Sequence, residues 1–133
     1  MKRIVFDLDG TLTVDEPGQP YASRKLRPGM RDMLLEYKER GFTIVIASSR
    51  NMRTHNNSVG LINAKTLPVM LTWLAEHDIP FDEIHVGKPW CGEDGFYVDD
   101  KAVRPSELQS MSYDAIRAML AREEELARAE VGG

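Results

Sequence analysis

The feature that most constrains this chain is its opening apolar run, Ile4-Val5-Phe6, which ends in two carboxylates, Asp7 and Asp9, followed by Gly10-Thr11-Leu12-Thr13. An unbroken run of β-branched and aromatic residues suits a strand covered on both faces, as in a parallel sheet. Gly10 permits a sharp exit from that strand. In an open parallel α/β sheet, ligands bind beyond the carboxyl ends of the strands. The two acids therefore stand where a site is expected.

The same device recurs along the chain. Phe42–Ala47 is a second β-branched run and ends in Ser48-Ser49-Arg50-Asn51. Phe81–Val86 is shorter, alternates apolar with polar residues, and leads into Gly87-Lys88-Pro89. Gly95–Val98 reads as a further strand carrying Asp99-Asp100-Lys101 at its tip. Pro28-Gly29 opens a helix in which Met30, Met33, Leu34 and Tyr37 make one apolar stripe, with Gly41 as its C′ residue. A strand–helix–strand order implies a right-handed parallel crossover. Leu67, Met70, Leu71 and Leu74 make a second stripe, with Thr66 as N-cap and Pro68 in the first turn, and with Trp73 as core-edge packing. The final helix starts at the S-x-x-Q pattern of Ser106–Gln109 or at Ser112, and packs Ile116, Met119 and Leu120. Residues 123–133 read as a frayed, charged tail. The expected fold is a Rossmann-like three-layer α/β sandwich with a mainly parallel central sheet, in one domain spanning 1–133. Residues 11–28 are rich in turn formers and read as a surface flap, too short for a large cap domain.

DLDGTLT, residues 7–13, resembles motif I of the haloacid dehalogenase (HAD) superfamily, whose members are mostly Mg2+-dependent phosphatases with an aspartyl-phosphate intermediate. A serine at the second strand tip resembles motif II, Lys88 resembles motif III, and Asp99-Asp100 has the D-D form of motif IV. The resemblance implies Asp7 as nucleophile, Asp9 as acid and base, Ser48 as a hydroxyl bonded to the phosphoryl group, and Lys88 as the neutralising cation. It also implies a Mg2+ ion held by Asp7, by Asp9 through its backbone carbonyl, and by Asp99 and Asp100. Oxygen ligands of this kind suit Mg2+ rather than zinc or copper. Ser49, Arg50, Asn51, Arg53 and Trp90 flank the same crevice and are candidates for substrate contact, the guanidinium groups through bidentate bonds and Trp90 by stacking. The stretches RNMRTHNNSVGLINAKTLPV and VGKPWCGEDGFYVDDKAVRPSE look like small HAD proteins encoded among bacterial capsule and surface-polysaccharide biosynthesis genes. That likeness implies a small phosphorylated metabolite, such as a sugar phosphate, as substrate.

Composition narrows the partners. With 17 basic against 21 acidic residues the formal net charge is -4, which counts against nucleic acid because backbone binding needs several cations. A nucleic-acid 3′-end phosphatase remains the enzymatic alternative, and a phosphate-binding module without turnover the non-enzymatic one. No run reaches membrane-spanning length, and no signal peptide is expected before the first strand. The single cysteine, Cys91, allows no internal disulfide and lacks the spacing of a zinc site, which fits a cytoplasmic location. Without a cap, substrate selection falls to the flap, the 51–63 loop, the Trp90 turn or a neighbouring subunit, so a homo-oligomer is compatible with this reading.

Overall fold

The computed structural model describes residues 1–132. They form two compact units, Met1–Trp90 and a second from Cys91 onward. The first unit is built on a three-stranded parallel sheet in the order β1 (Arg3–Phe6), β4 (Thr43–Ser48), β5 (Glu83–Val86). The parallel register pairs Phe6 with Ile46 and Ser48 with Val86, so the three carboxyl ends point the same way.

The central strand, β4, is the one the β-branched run predicts. Ile44, Val45 and Ile46 are buried. Helix α1 (Met30–Glu39) buries Met30, Leu34 and Tyr37, while Met33 is half-buried. Gly41, with φ 90°, ends it and turns the chain so that Phe42 packs edge-on against Tyr37 at 5.3 Å. The 11–28 flap is a small antiparallel hairpin, β2 (Thr13–Val14) with β3 (Lys25–Leu26), interrupted by a 3-10 turn at Tyr21–Ser23.

The second helical region begins earlier than its stripe suggests. Ser58 caps a short helix α2 (Val59–Leu61), accepting a hydrogen bond from the Leu61 N–H at 3.3 Å, and a π-helical turn (Ile62–Thr66) runs on into α3 (Leu67–Glu76). Thr66 is therefore internal and not an N-cap, and its hydroxyl donates to Asn51 Oδ1 at 2.8 Å. A π turn inserts a residue and rotates the downstream helix about its axis. The buried face becomes Ile62, Met70, Trp73 and Leu74, and Leu71 is left 40% exposed. Trp73 is fully buried, with its indole N–H donating to the Arg24 carbonyl at 2.7 Å, which ties α3 to the flap.

In the second unit, Gly95–Asp100 forms no strand. A short apolar run becomes a strand only where a neighbour supplies ladder hydrogen bonds, and among the described residues no strand pairs with it. Helix α4 (Pro105–Ser110) is capped not through Ser106 and Gln109 but by Glu107, whose carboxylate accepts from the Arg104 N–H at 2.8 Å. Ser112 caps helix α5 (Tyr113–Gly132) by accepting from the Ala115 N–H at 3.1 Å. The tail expected to fray continues as helix through residue 132, laced by an Arg128–Glu124 pair at 2.9 Å, while Gly133 lies outside the described residues. No described helix is long and apolar enough to cross a membrane.

Candidate active site

The loop leaving β1 folds around one carbonyl. Leu8 O accepts from the N–H groups of Thr11, Leu12 and Thr13, and the side chains of Leu8 and Leu12 are fully buried beneath it. Gly10 takes φ 79°, which a side chain would resist. Its N–H donates to Thr13 Oγ1 at 3.0 Å, and Thr13 in turn donates to Asp15. This tight wrap fixes Asp7 and Asp9 at the end of β1.

Asp7 faces Lys88 Nζ across 3.8 Å. Lys88 is aimed there by Gly87 at φ 83° and by its own N–H, which donates to the Ser48 carbonyl at 3.2 Å and continues the β4–β5 ladder by one residue. Burial raises the Asp7 carboxyl above its ordinary range, opposed by the Lys88 charge and the Leu8 N–H. The result is a partly desolvated carboxyl beside the Lys88 cation.

Asp9 is held differently. Arg50 grips it bidentately, Nη2 to Oδ1 at 2.7 Å and Nε to Oδ2 at 3.0 Å, and Arg24 Nη1 adds a second donor to Oδ1 at 2.7 Å. Oδ1 thus has both lone pairs engaged, and Oδ2 has one still available. The Arg50 side chain is 0% exposed. Both guanidinium groups lie over the Tyr21 ring, at 4.3 Å for Arg24 and 4.2 Å for Arg50. Residues i and i+3 eclipse in a 3-10 turn, which is why Tyr21 and Arg24 meet.

Around Asp9 opens a cleft of about 310 Å³ whose walls include Ser49, Arg50, Asn51, Arg53 and Trp90. Arg53 lies 5.5 Å from the centre of the Trp90 ring at its rim, and Trp90 is 43% exposed. Asn51 has φ 61°, and both ends of its amide are engaged, with Thr66 and with Thr54. Ser48 is 2% exposed, and its hydroxyl accepts from the Arg50 N–H at 3.0 Å. Arg24, Tyr21 and Asp15 also line the cleft, and sequence reasoning passed over all three as flap. The available signal was an aromatic residue three positions before an arginine after Pro20, the spacing of a 3-10 turn. A second depression of about 290 Å³, beside Trp73 and Pro68, is apolar and has no carboxylate–cation pair of this kind.

Asp99 and Asp100 belong to the second unit, where Asp99 Oδ1 accepts from the Lys101 N–H at 2.8 Å. Among the described residues no three His, Cys, Asp or Glu side chains gather as a ready metal cage. Mg2+ does not require one, since it commonly takes one or two carboxylates, water and substrate oxygens. The Asp7 carboxylate, 33% exposed, fits that role. With its carboxylate held by two arginines, Asp9 fits through its backbone carbonyl.

A family profile described as "PITM 1-3, LNS2 domain" matches residues 4–88, from β1 to Lys88. The chain belongs to this LNS2-domain family, whose fold is HAD-like. The crystal structure of a target protein from Vibrio cholerae is 50% identical, covers 92% of this chain and 99% of its own, and superposes with a TM-score of 0.89. D,D-heptose 1.7-bisphosphate phosphatase from B. bronchiseptica, complexed with magnesium and phosphate, is 22% identical, covers 72% of this chain and 54% of its own, and gives a TM-score of 0.46. Similarity at that level carries no mechanistic weight. No curated protein sequence matches the chain.

Proposed function

We propose that this LNS2-family chain is a Mg2+-dependent phosphomonoester hydrolase working through an aspartyl-phosphate on Asp7. The observation that carries this reading is the geometry at the end of the parallel sheet. A partly desolvated carboxyl sits 3.8 Å from the Lys88 ammonium, beside a cleft whose walls hold three guanidinium groups, Arg24, Arg50 and Arg53, against two carboxylates, Asp9 and Asp15. Such an excess of cations favours an anionic substrate.

The chemistry follows from the side chains. Asp7 attacks phosphorus, the P–O bond to the alcohol breaks, and the aspartyl-phosphate splits one hard displacement into two easier ones. Lys88 offsets the charge that gathers on the equatorial oxygens. Asp9 handles the proton at Oδ2, the oxygen with a lone pair left over, donating to the leaving alcohol and later taking a proton from the attacking water. Arg50 and Arg24 fix that carboxylate in place. Ser48, through its hydroxyl proton, and Ser49 would bond the phosphoryl oxygens. Asp7, the Asp9 carbonyl and the acids Asp99 and Asp100 would hold Mg2+, which would supply charge stabilisation to the transferring group.

The rim pair of Trp90 and Arg53 supports a ring-bearing substrate, and we favour a sugar phosphate or related metabolite of surface-polysaccharide biosynthesis, hydrolysed in the cytoplasm. Asn51 would act by holding the cleft wall. The test is phosphate release from a panel of sugar phosphates, nucleotides and a 3′-phosphorylated oligonucleotide, with Mg2+ or with EDTA. Mg2+-dependent release from sugar phosphates is expected. A preference for the oligonucleotide, falling steeply with salt, would replace this substrate class, and no release from any ester would leave only a binding role.

A further inference from the structure

We propose that Trp73, on helix α3 and outside the cleft, is a positioning residue for Asp9, acting on it through Arg24. The inference rests on the phosphatase reading above and adds to it the element that holds the flap side of the site.

The flap needs support from outside itself. Its ladder pairs Thr13 with Leu26 and Val14 with Lys25, and a hairpin that short is marginal on its own. Arg24 stands just before β3 as the C-cap of the 3-10 turn, in extended backbone with φ -64° and ψ 140°. Its carbonyl accepts from the Trp73 indole N–H at 2.7 Å, while its side chain reaches Asp9 Oδ1 at 2.7 Å and Asp15 Oδ1 at 3.4 Å. One residue therefore carries the anchor on its main chain and the clamp on its side chain. Arg24 Nε is buried and has no hydrogen-bond partner among the described residues. The guanidinium is thus placed by the two acids, by the Tyr21 ring 4.3 Å away, and by where the Arg24 main chain stands.

The identity of residue 73 matters for the same reason. Any large ring could fill this part of the core, where Trp73 is 1% exposed, but a buried indole also needs an acceptor for its N–H. The acceptor here is the carbonyl of the residue that clamps Asp9. The π turn sets up this contact. Thr66, its last residue, and Trp73 are seven positions apart, about two helical turns, so they share a face of the helix. From that face Thr66 donates to Asn51 in the loop after β4, and Trp73 donates to Arg24 in the flap. Both acceptor residues line the cleft, so one rigid helix braces it from two segments of the chain.

The test compares two esters. Trp73→Phe keeps a ring and removes the N–H. On the best sugar phosphate of the panel, whose departing alkoxide needs the Asp9 proton, it should lower kcat/KM about tenfold. On p-nitrophenyl phosphate, whose leaving group departs with little help from an acid, the loss should stay under about threefold. In an Arg24→Ala background the same substitution should change kcat/KM on the sugar phosphate by less than about twofold, because the two residues act in series. Equal losses on the two esters, or losses that multiply in the double variant, would overturn the positioning role and leave the phosphatase reading standing. No release from any ester by wild type would instead sink the phosphatase reading and the role with it.

A second measurement needs no turnover. In a Trp90→Phe background the remaining indole N–H is that of Trp73. Adding Asp9→Asn weakens the hold on the Arg24 side chain, and should shift the indole N–H resonance and speed its exchange with deuterated water relative to the backbone amides of α3. An indole signal unmoved by Asp9→Asn would overturn the coupling, whatever the enzyme does.

Discussion

Replacing Arg50 by alanine tests whether the Asp9 carboxylate is held as described. The side chain lost is fully enclosed, and it takes with it two hydrogen bonds to Asp9, at 2.7 and 3.0 Å, and the contact 4.2 Å from the Tyr21 ring centre. Breaking a fully buried ion pair costs about 3–5 kcal/mol, chiefly because a charge is stranded. Here Asp9 keeps Arg24 at 2.7 Å and is 22% exposed, so less of its desolvation goes uncompensated. Arg50 Nη1 is also buried without a hydrogen-bond partner, so its removal relieves an unsatisfied donor. These offsets reduce the electrostatic loss to about 1–2 kcal/mol. Lost stacking on Tyr21 adds about 1 kcal/mol, giving about 2–3 kcal/mol in all. With a urea slope of about 2 kcal/mol/M, the unfolding midpoint followed by the emission of buried Trp73 should fall by about 1–1.5 M. Arg50→Lys retains the charge but not the fork, and should lose about half as much. If Arg50→Ala unfolds within about 0.5 kcal/mol of wild type, the clamp contributes nothing and the assigned role of Arg50 is wrong.

Gly87→Ala should lower stability by about 1–2 kcal/mol, because φ 83° is left-handed and the new Cβ would stand 3.0 Å from Val59 Cγ2. A thermal melt reads this, and an unchanged melting point would mean that the turn aiming Lys88 relaxes freely. Asp82 accepts from Lys38 Nζ and from the Ile44 N–H, each at 2.8 Å, and the Lys38 bond, then the Ile44 bond, hold its carboxyl below the usual range. A carboxyl lowered in the folded state contributes stability fully above the unfolded value of about 3.9, and loses it as pH falls through the folded value. The advantage of wild type over Asp82→Asn should therefore be constant near neutrality and shrink in acid, and urea titrations at a series of pH values giving a constant difference down into acid would contradict the assignment.

The elements whose periodicity is local were legible in the sequence. β1, α1 and β4 follow from runs and stripes that need no distant partner to be recognised, and the cleft residues after β4 follow from their place at a strand end. Where tertiary context decides, local pattern is a poor guide. The π turn at Ile62–Thr66 leaves no period-based trace, so Thr66 has the pattern of a cap although its hydroxyl bonds Asn51. Gly95–Val98 has a strand's composition, but a strand also requires an edge to pair with. Arg24 and Tyr21 were hidden in a turn-rich flap, because a side chain's reach across fifteen positions to Asp9 is set by the hairpin and not by local pattern.

The account turns on Asp7 as the attacking group, and the most direct measurement is to quench turnover in acid and map the phosphoryl group by mass. With wild type, Mg2+ and a substrate it hydrolyses, a phosphoryl adduct should appear on the peptide carrying Asp7, and Asp7→Asn should show neither adduct nor phosphate release. Phosphate release that persists in Asp7→Asn, with no adduct on the wild-type peptide, would contradict the mechanism.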